Sequence, residues 1–258
     1  MSGCRLAGRR PVERGSDPMQ RQHHLQDGTG VIEVYARAGS PGARPVLWAL
    51  QELALPVVRR DLPTDPAVEG ADHVAINPLG RPAAAARAAF ALADADAILR
   101  HICQALAGGE ALHPGDATAW AETERWIAWR RTLFAPVCRE LEKALGPAPD
   151  AGGATDTPRH AADLQALATS HLAALDRHLD GRDYLLGPRF TIADVALGAP
   201  IHRYLQLAEG AGAFVGVQTW YARLCYRDAF RAQVMAPAGR AAGERYPIDL
   251  LPLRSGLG

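Results

Sequence analysis

The stretch YLLGPRFTIADVALGAP, Tyr184 to Pro200, decides the fold. It reads as a loop feeding a buried helix. Thr191 stands at the N-cap, its hydroxyl placed to accept from the backbone N–H near Asp194. The Asp194 carboxylate can reach back to the Thr191 N–H, which makes a capping box with Asp in place of Glu or Gln. Phe190 precedes the cap and can staple against Val195. Ile192, Val195, Ala196, Ala199 and Pro200 leave that helix little polar surface.

A chain of 258 residues is long enough for a substantial core in one large or two modest domains. Apolar residues make up 48% and charged residues 22%, the proportions of an ordinary globular protein. Net charge is zero, so no broad field would recruit nucleic acid or an anionic membrane. No apolar run approaches the ~18 residues of a membrane span. Cys4, Cys103, Cys138 and Cys225 lie far apart, with no C-x-x-C pair, which suits a reducing cytoplasm. His101 and His202 have no partner at ligand spacing, so no metal site is expected.

Outward from the deciding stretch, the chain divides in two. Residues 1–30 are polar and Arg-bearing and read as a disordered arm without a secretory h-region. Val31–Tyr35 reads as a strand. Val46, Leu47, Leu50 and Leu53 fall at helical spacing, and Leu55 to about Leu62 returns to strand character. A helical crossover between two strands implies that they run parallel. Two weak strands are candidates at Ala83–Arg87 and Phe90–Leu92, although the Ala-rich 83–89 segment favours helix by propensity. A helix starts near Asp94. The Gly- and Pro-bearing segment 108–115 reads as a linker. Beyond it the pattern is helical throughout. One long helix spans Trp120 to about Leu145, and His160–Leu179 carries a stripe at Leu164, Leu167, Leu172, Leu175 and Leu179. The capped helix runs from Ile192 to about Ala208, and short helices are expected near Thr219–Cys225 and Asp228–Val234. The tail from 237 to 258 reads as extended.

Four stretches, in order, resemble cytosolic glutathione S-transferases of a bacterial subgroup: SPGARPVLWALQELALP from Ser40, INPLGRP with DADAILRHI from Ile76, AWAETERWIAWRRTLFAP from Ala119, and the deciding stretch with TWYARLCYRDAFRAQVM from Thr219. The resemblance implies an α/β thioredoxin-like N-terminal domain (βαβ-ββα, 31–108) followed by an all-α C-terminal domain (115–236). On that ground segments 83–87 and 90–92 are read as strands. It also implies glutathione as co-substrate, a small hydrophobic electrophile as partner, and a homodimer.

Carried over residue by residue, the resemblance puts Ser40 at the position whose hydroxyl stabilises the glutathione thiolate, with Tyr35 as the alternative hydroxyl. Helix N–H groups just beyond Ser40 would also favour an anion. Arg44 would either assist a thiolate or lie exposed. The binding motif departs from the family pattern. Arg81 falls at its polar position, Pro82 at its Val, Ala83 at its cis-Pro, and Asp94 and Ala95 at its Glu-Ser. Pro82 has no N–H to give the cysteinyl backbone. A cis bond before Ala83 would cost ~3–4 kcal/mol, so the turn is either trans or has its cis bond at Arg81–Pro82. Ala95 lacks the hydroxyl that holds the γ-glutamyl carboxylate, while Asp94 keeps a charge for the ammonium on a shorter stem. Each lost bond to a charged group would cost roughly 1.5–3 kcal/mol. Trp126, Trp129, Arg130 and Phe134 share a helix face and are candidate liners of the acceptor pocket. The expectation is a glutathione transferase with weakened glutathione binding. The alternative is a non-catalytic binding or scaffold protein of the same fold.

Overall fold

The computed structural model describes residues 31–37, 40–62, 84–87, 90–146, 157–207 and 214–236. The sheet comes first. Strand β1 (Ile32–Ala36) alternates, with Ile32, Val34 and Ala36 buried and Glu33 and Tyr35 half-buried. It pairs in parallel with β2 (Val57–Asp61), Ile32 opposite Val57. Helix α1 (Ala43–Glu52) connects them, as the crossover requires. Strand β3 (Ala84–Arg87) runs antiparallel to β1, and β4 (Phe90–Ala93) antiparallel to β3, giving the order β2-β1-β3-β4. Three consecutive alanines thus form a strand against their helix propensity. Pairing on both sides, to β1 and β4, supplies what propensity does not.

Helix α2 (Ala95–Ala105) follows β4 and buries Ile98, Leu99, Ile102 and Cys103. A 3₁₀ turn (Gly109–Leu112) lies in the expected linker. Gly109 fits because an added Cβ would stand 2.3 Å from the Ile102 carbonyl oxygen.

The expected long helix is not uniform. Helix α3 (Ala117–Trp129) passes through a π turn (Arg130–Phe134) into α4 (Ala135–Leu145). The reason is Pro136, which has no N–H for the Thr132 carbonyl and whose ring would clash with it in a regular helix. The wider turn relieves that clash, and the Ala135 N–H bonds to the Arg130 carbonyl, five residues back.

Helix α5 (Thr157–Leu179) buries Ala161, Ala168, Leu172, Leu175 and Leu179, with Leu164 half-buried. Leu167 is 45% exposed and does not belong to the stripe. Its place is taken by Ala168, four residues from both Leu164 and Leu172.

Helix α6 (Ile192–Leu207) is the centre of the helical domain, with Ile192 to Leu197 all fully buried. Its start differs in one detail from a capping box. The Thr191 N–H donates to Asp194 Oδ2 at 2.9 Å as expected, but the Thr191 hydroxyl also donates to Oδ2, at 3.2 Å. The other oxygen, Oδ1, accepts from the Leu185 N–H at 2.9 Å and the Trp220 Nε1–H at 2.8 Å. Asp194 therefore ties loop, cap and a later helix together. Burial pushes its carboxyl above the usual range, while the donors pull the other way. The Phe190 ring contacts Trp48 and Tyr184, with centroids 5.6 and 5.7 Å apart.

Helix α7 (Val215–Cys225) begins four residues before the expected Thr219. Its cap is supplied from α5, where Asp176 Oδ1 accepts from the Val217 N–H at 3.0 Å. A short helix α8 (Asp228–Phe230) runs into a second π turn (Arg231–Met235).

The two halves meet at α1, which is buried along Ala43 and Pro45–Leu50. Trp48 packs against Phe230 at 4.8 Å. Gly198 of α6 leaves room for the indole, since a Cβ there would stand 2.7 Å from the Trp48 ring. Arg227 pairs with Glu52 and lies 3.7 Å over the Phe190 ring.

Candidate functional site

The site is built from two turns that end strands. The first follows β1. Ser40 is buried, its N–H donating to the Arg37 carbonyl at 3.0 Å and its carbonyl accepting from the Ala43 N–H at 3.2 Å. Among the described residues its hydroxyl has no hydrogen-bond partner. It sits at the start of α1, whose N-cap Gly42 contributes no side chain, so the first-turn N–H groups are not capped from there.

Tyr35 is differently placed. It lies on the face of β1 away from the core, and its hydroxyl donates to Glu33 Oε2 at 2.7 Å. Glu33 also accepts from Arg60 Nη2 at 2.6 Å. The Tyr35 bond, followed by that of Arg60, holds the Glu33 carboxyl below its usual range. Arg44 is half-buried rather than exposed and donates to the Val234 carbonyl, tying α1 to the last turn.

The second turn joins β4 to α2. Asp94 is the N-cap, and its Oδ1 accepts from the Asp96 N–H at 3.0 Å and the Ala97 N–H at 3.3 Å. Its φ is +86°, ψ 122°, a backbone conformation that an L side chain rarely adopts. An ordinary N-cap does not need it, since β-region dihedrals serve that role. Ala95 is the first residue of α2 and brings a backbone N–H but no hydroxyl. Arg81, Pro82 and Ala83 lie outside the described residues.

Helix α2 is fastened to α3 and the π turn by two ion pairs that the sequence did not suggest. Arg130 Nη2 lies 2.6 Å from Asp96 Oδ1 and also meets Oδ2, in a pair only 14% and 4% exposed. Arg100 meets Glu124 as a fork, Nε to Oε1 and Nη2 to Oε2, both at 2.6 Å. The partners are separated by 34 and 24 residues, so no local pattern announces them.

The aromatic stripe is core. Trp126 meets His178 of α5 at a tilt, centroids 4.6 Å apart, while Trp129 stacks on Phe134 at 5.1 Å and meets His171 of α5 edge-on at 6.2 Å. Phe134, fully buried, meets Tyr204 of α6 at 5.6 Å. These rings fill the space between helices, so the expectation that they line an acceptor pocket gives way to packing. Arg130, expected beside them, is engaged by Asp96. Trp126 Nε1 and Arg130 Nε are both buried with no partner among the described residues.

Cys103 and Cys138 are buried, and desolvation pushes both thiols up to about 12, which makes them poor nucleophiles. A groove of about 520 Å³ between the end of α5 and the start of α7 is lined by charges of both signs, among them Asp176, Arg177, Asp183 and Arg223. It includes none of Tyr35, Ser40, Asp94, Ala95, Trp126, Trp129, Arg130 and Phe134. No group of His, Cys, Asp or Glu suited to a metal ion occurs among the described residues. No helix among them is long and apolar enough to cross a membrane.

A small mixed sheet with a helix crossover, followed by a helical bundle and with its candidate site at two strand ends, defines a thioredoxin-like domain joined to an all-α domain. Comparison with known proteins agrees. The family model of the glutathione S-transferase C-terminal domain matches residues 83–223, more than half of the chain. The chain belongs to the glutathione S-transferase family. It is similar to the theta class glutathione S-transferase of Xanthomonas axonopodis pv. citri, solved with glutathione bound: 27% identity, 80% of this chain and 98% of that one covered, TM-score 0.70. Glutathione transferase F2 of Populus trichocarpa (20% identity, 79% and 97% covered, TM-score 0.66) shares the fold. So does a transferase of Bombyx mori (16% identity, 82% and 94% covered, TM-score 0.68). No curated protein sequence matches significantly.

Proposed function

We propose that the protein binds glutathione and conjugates it, through its sulfur, to a small hydrophobic electrophile. The observation that carries this reading is the strained backbone of Asp94. A residue held at φ +86° costs on the order of 1–3 kcal/mol and persists where the surroundings over-determine it, commonly at ligand sites. Asp94 holds it at the motif position for the γ-glutamyl end. Ser40 supports the same reading, with a hydroxyl unengaged among the described residues at the start of α1. In this mechanism the Ser40 O–H donates to the glutathione sulfur, stabilises the thiolate and lowers the thiol pKa. The thiol proton leaves to solvent, the thiolate attacks the electrophilic carbon, a carbon–sulfur bond forms, and the leaving group departs with its electron pair. Asp94 and the Ala95 N–H meet the ammonium and carboxylate of the γ-glutamyl group, and the resemblance assigns the cysteinyl backbone to Arg81 and Pro82, which lie outside the described residues. The domain division at 31–108 and 115–236, a homodimer and a cytoplasmic location belong to this proposal.

Ala95 favours a second reading, a glutathione-free binding protein, because the hydroxyl for the carboxylate is missing. Calorimetry with millimolar glutathione, beside a chlorodinitrobenzene assay, separates the two. Heat and turnover are expected. Neither appearing would sink the glutathione reading and leave the second standing. Ser40→Ala should reduce turnover by roughly ten- to a hundredfold, the worth of one charge-assisted hydrogen bond, with glutathione affinity little changed.

A further inference from the structure

Two ion pairs hold α2 on the helical domain in opposite senses. Asp96 is matched by Arg130 and, one turn on, Arg100 by Glu124. They differ in what they touch. Arg100–Glu124 is partly exposed, at 31% and 43%, and meets α2 beyond its first turn. Arg130–Asp96 is almost wholly buried and meets the first turn itself.

From Arg130 a continuous set of contacts leads to the candidate ligand site. Arg130 grips both oxygens of the Asp96 side chain. The Asp96 backbone N–H donates to Asp94 Oδ1. Asp94 holds φ +86°, a conformation that relaxes unless its neighbours are fixed. Arg130 reaches Asp96 with its Nε–H left buried and unpartnered among the described residues, although an unsatisfied buried donor is costly. The grip on Asp96 therefore outweighs the satisfaction of the guanidinium itself.

The geometry points to Arg130 as a positioning residue for the γ-glutamyl end of glutathione. It acts through Asp96 and the strained Asp94, not by touching the substrate. This rests on the glutathione reading above. With Ala95 lacking a hydroxyl, binding depends more heavily on the aim of the Asp94 carboxylate and the first N–H of α2, both of which this pair sets.

The test compares full-length variants by glutathione calorimetry, KM for glutathione, kcat and thermal melting. Arg130→Met should weaken glutathione binding and raise its KM by about tenfold, as loss of one well-aimed contact to a charged group does, with kcat at saturating glutathione within about twofold. Arg130→Lys, which keeps the charge, should recover most of the affinity. Since Arg130→Met strands a buried carboxylate and can fail to fold, the double variant Asp96→Asn with Arg130→Gln removes both charges. It should fold and show the same loss of affinity. Arg100→Gln should lower the melting temperature but leave affinity within about twofold, because that exposed pair is only a fastening. A double variant that folds and binds glutathione like the parent would overturn the inference. So would an Arg100→Gln variant that loses affinity as much as Arg130→Met, which would make general domain docking the cause. Absence of glutathione binding in the parent protein would sink the proposed function itself, an outcome distinct from either.

Discussion

Removing the Asp194 carboxylate should destabilise the protein more than almost any other single change, and the size follows from its surroundings. Asp194 is fully buried and accepts from the Leu185 N–H, the Thr191 N–H, the Thr191 hydroxyl and the Trp220 Nε1–H. Asp194→Ala strands three N–H donors, since the Thr191 hydroxyl alone can rotate to another acceptor. Each stranded donor costs ~1–3 kcal/mol, so the gross penalty is roughly 3–9 kcal/mol. Against this, the variant no longer buries a charge, which returns several kcal/mol. The net expectation is about 4 kcal/mol, near the cost of breaking a buried polar network, or about 10 °C in Tm for a chain of this size. Asp194→Asn separates the terms. Its oxygen can keep the Leu185 and Trp220 bonds, while its amide N–H₂ faces the Thr191 N–H. One stranded donor then remains, about 1–3 kcal/mol, and no charge is buried. Urea denaturation followed by circular dichroism measures both. If Asn costs as much as Ala, or either costs less than about 1 kcal/mol, the donor-counting argument is wrong.

Two further changes probe the packing around α1 and α6. Gly198→Ala should cost ~1–3 kcal/mol by overpacking, because the new methyl would meet Trp48 at 2.7 Å and Leu224 at 3.0 Å. Alanine is the better helix former by ~1 kcal/mol, so a stabilised variant in chemical denaturation would refute the steric reading. His202 is buried, its Nδ1 2.7 Å from the Tyr221 hydroxyl, and burial, with Arg44 and Arg203 nearby, lowers its pKa to about 4. A depressed value means the folded state prefers neutral imidazole. The stabilisation is full above the unfolded value near 6.5 and is lost as pH falls toward 4, by up to about 3 kcal/mol. His202→Phe should flatten stability over that window, and equal pH slopes for parent and variant would contradict it.

What could be read in the sequence was local. Thr191 and Asp194 are three residues apart, so their bond at the start of α6 needs only a helix to form, and it forms. Ser40 and Asp94 were reached through the resemblance to the family's motifs, and the structure puts both in turns that open helices. Where one periodicity fits two outcomes, the reading failed. Leu167 and Ala168 both lie at helical spacing from the leucine stripe, and size favoured the wrong one. The Trp126–Trp129–Phe134 face suited a core more often than a pocket, and the positions of His171, His178 and Tyr204 place it in packing. Partners far apart in the chain left no mark at all. The cap of α7 comes from Asp176, and Asp96 meets Arg130, through contacts that only the fold creates. Even the interruption at Arg130–Phe134 was visible only as Pro136, whose effect is a wider turn in a helix that continues.

On the proposed reading, the electrostatics of the α2 start would let a chain lacking the serine hydroxyl still take a zwitterion. The positive end of a helix favours an anion, and a carboxylate at the N-cap uses part of that preference internally. Asp94 does so through one oxygen only, with both bonds made by Oδ1. A second carboxylate, Asp96, stands in the same turn. Left bare it would repel the carboxylate of a γ-glutamyl group and compete with Asp94 for the ammonium. Paired with Arg130 in a buried contact, its field is cancelled at close range and hardly screened by salt. Among the described residues Asp94 has no ion-pair partner, and it is set beside the first N–H of the helix. On the proposed reading, that juxtaposition of one acidic group and one donor matches the ammonium and carboxylate carried by a single carbon.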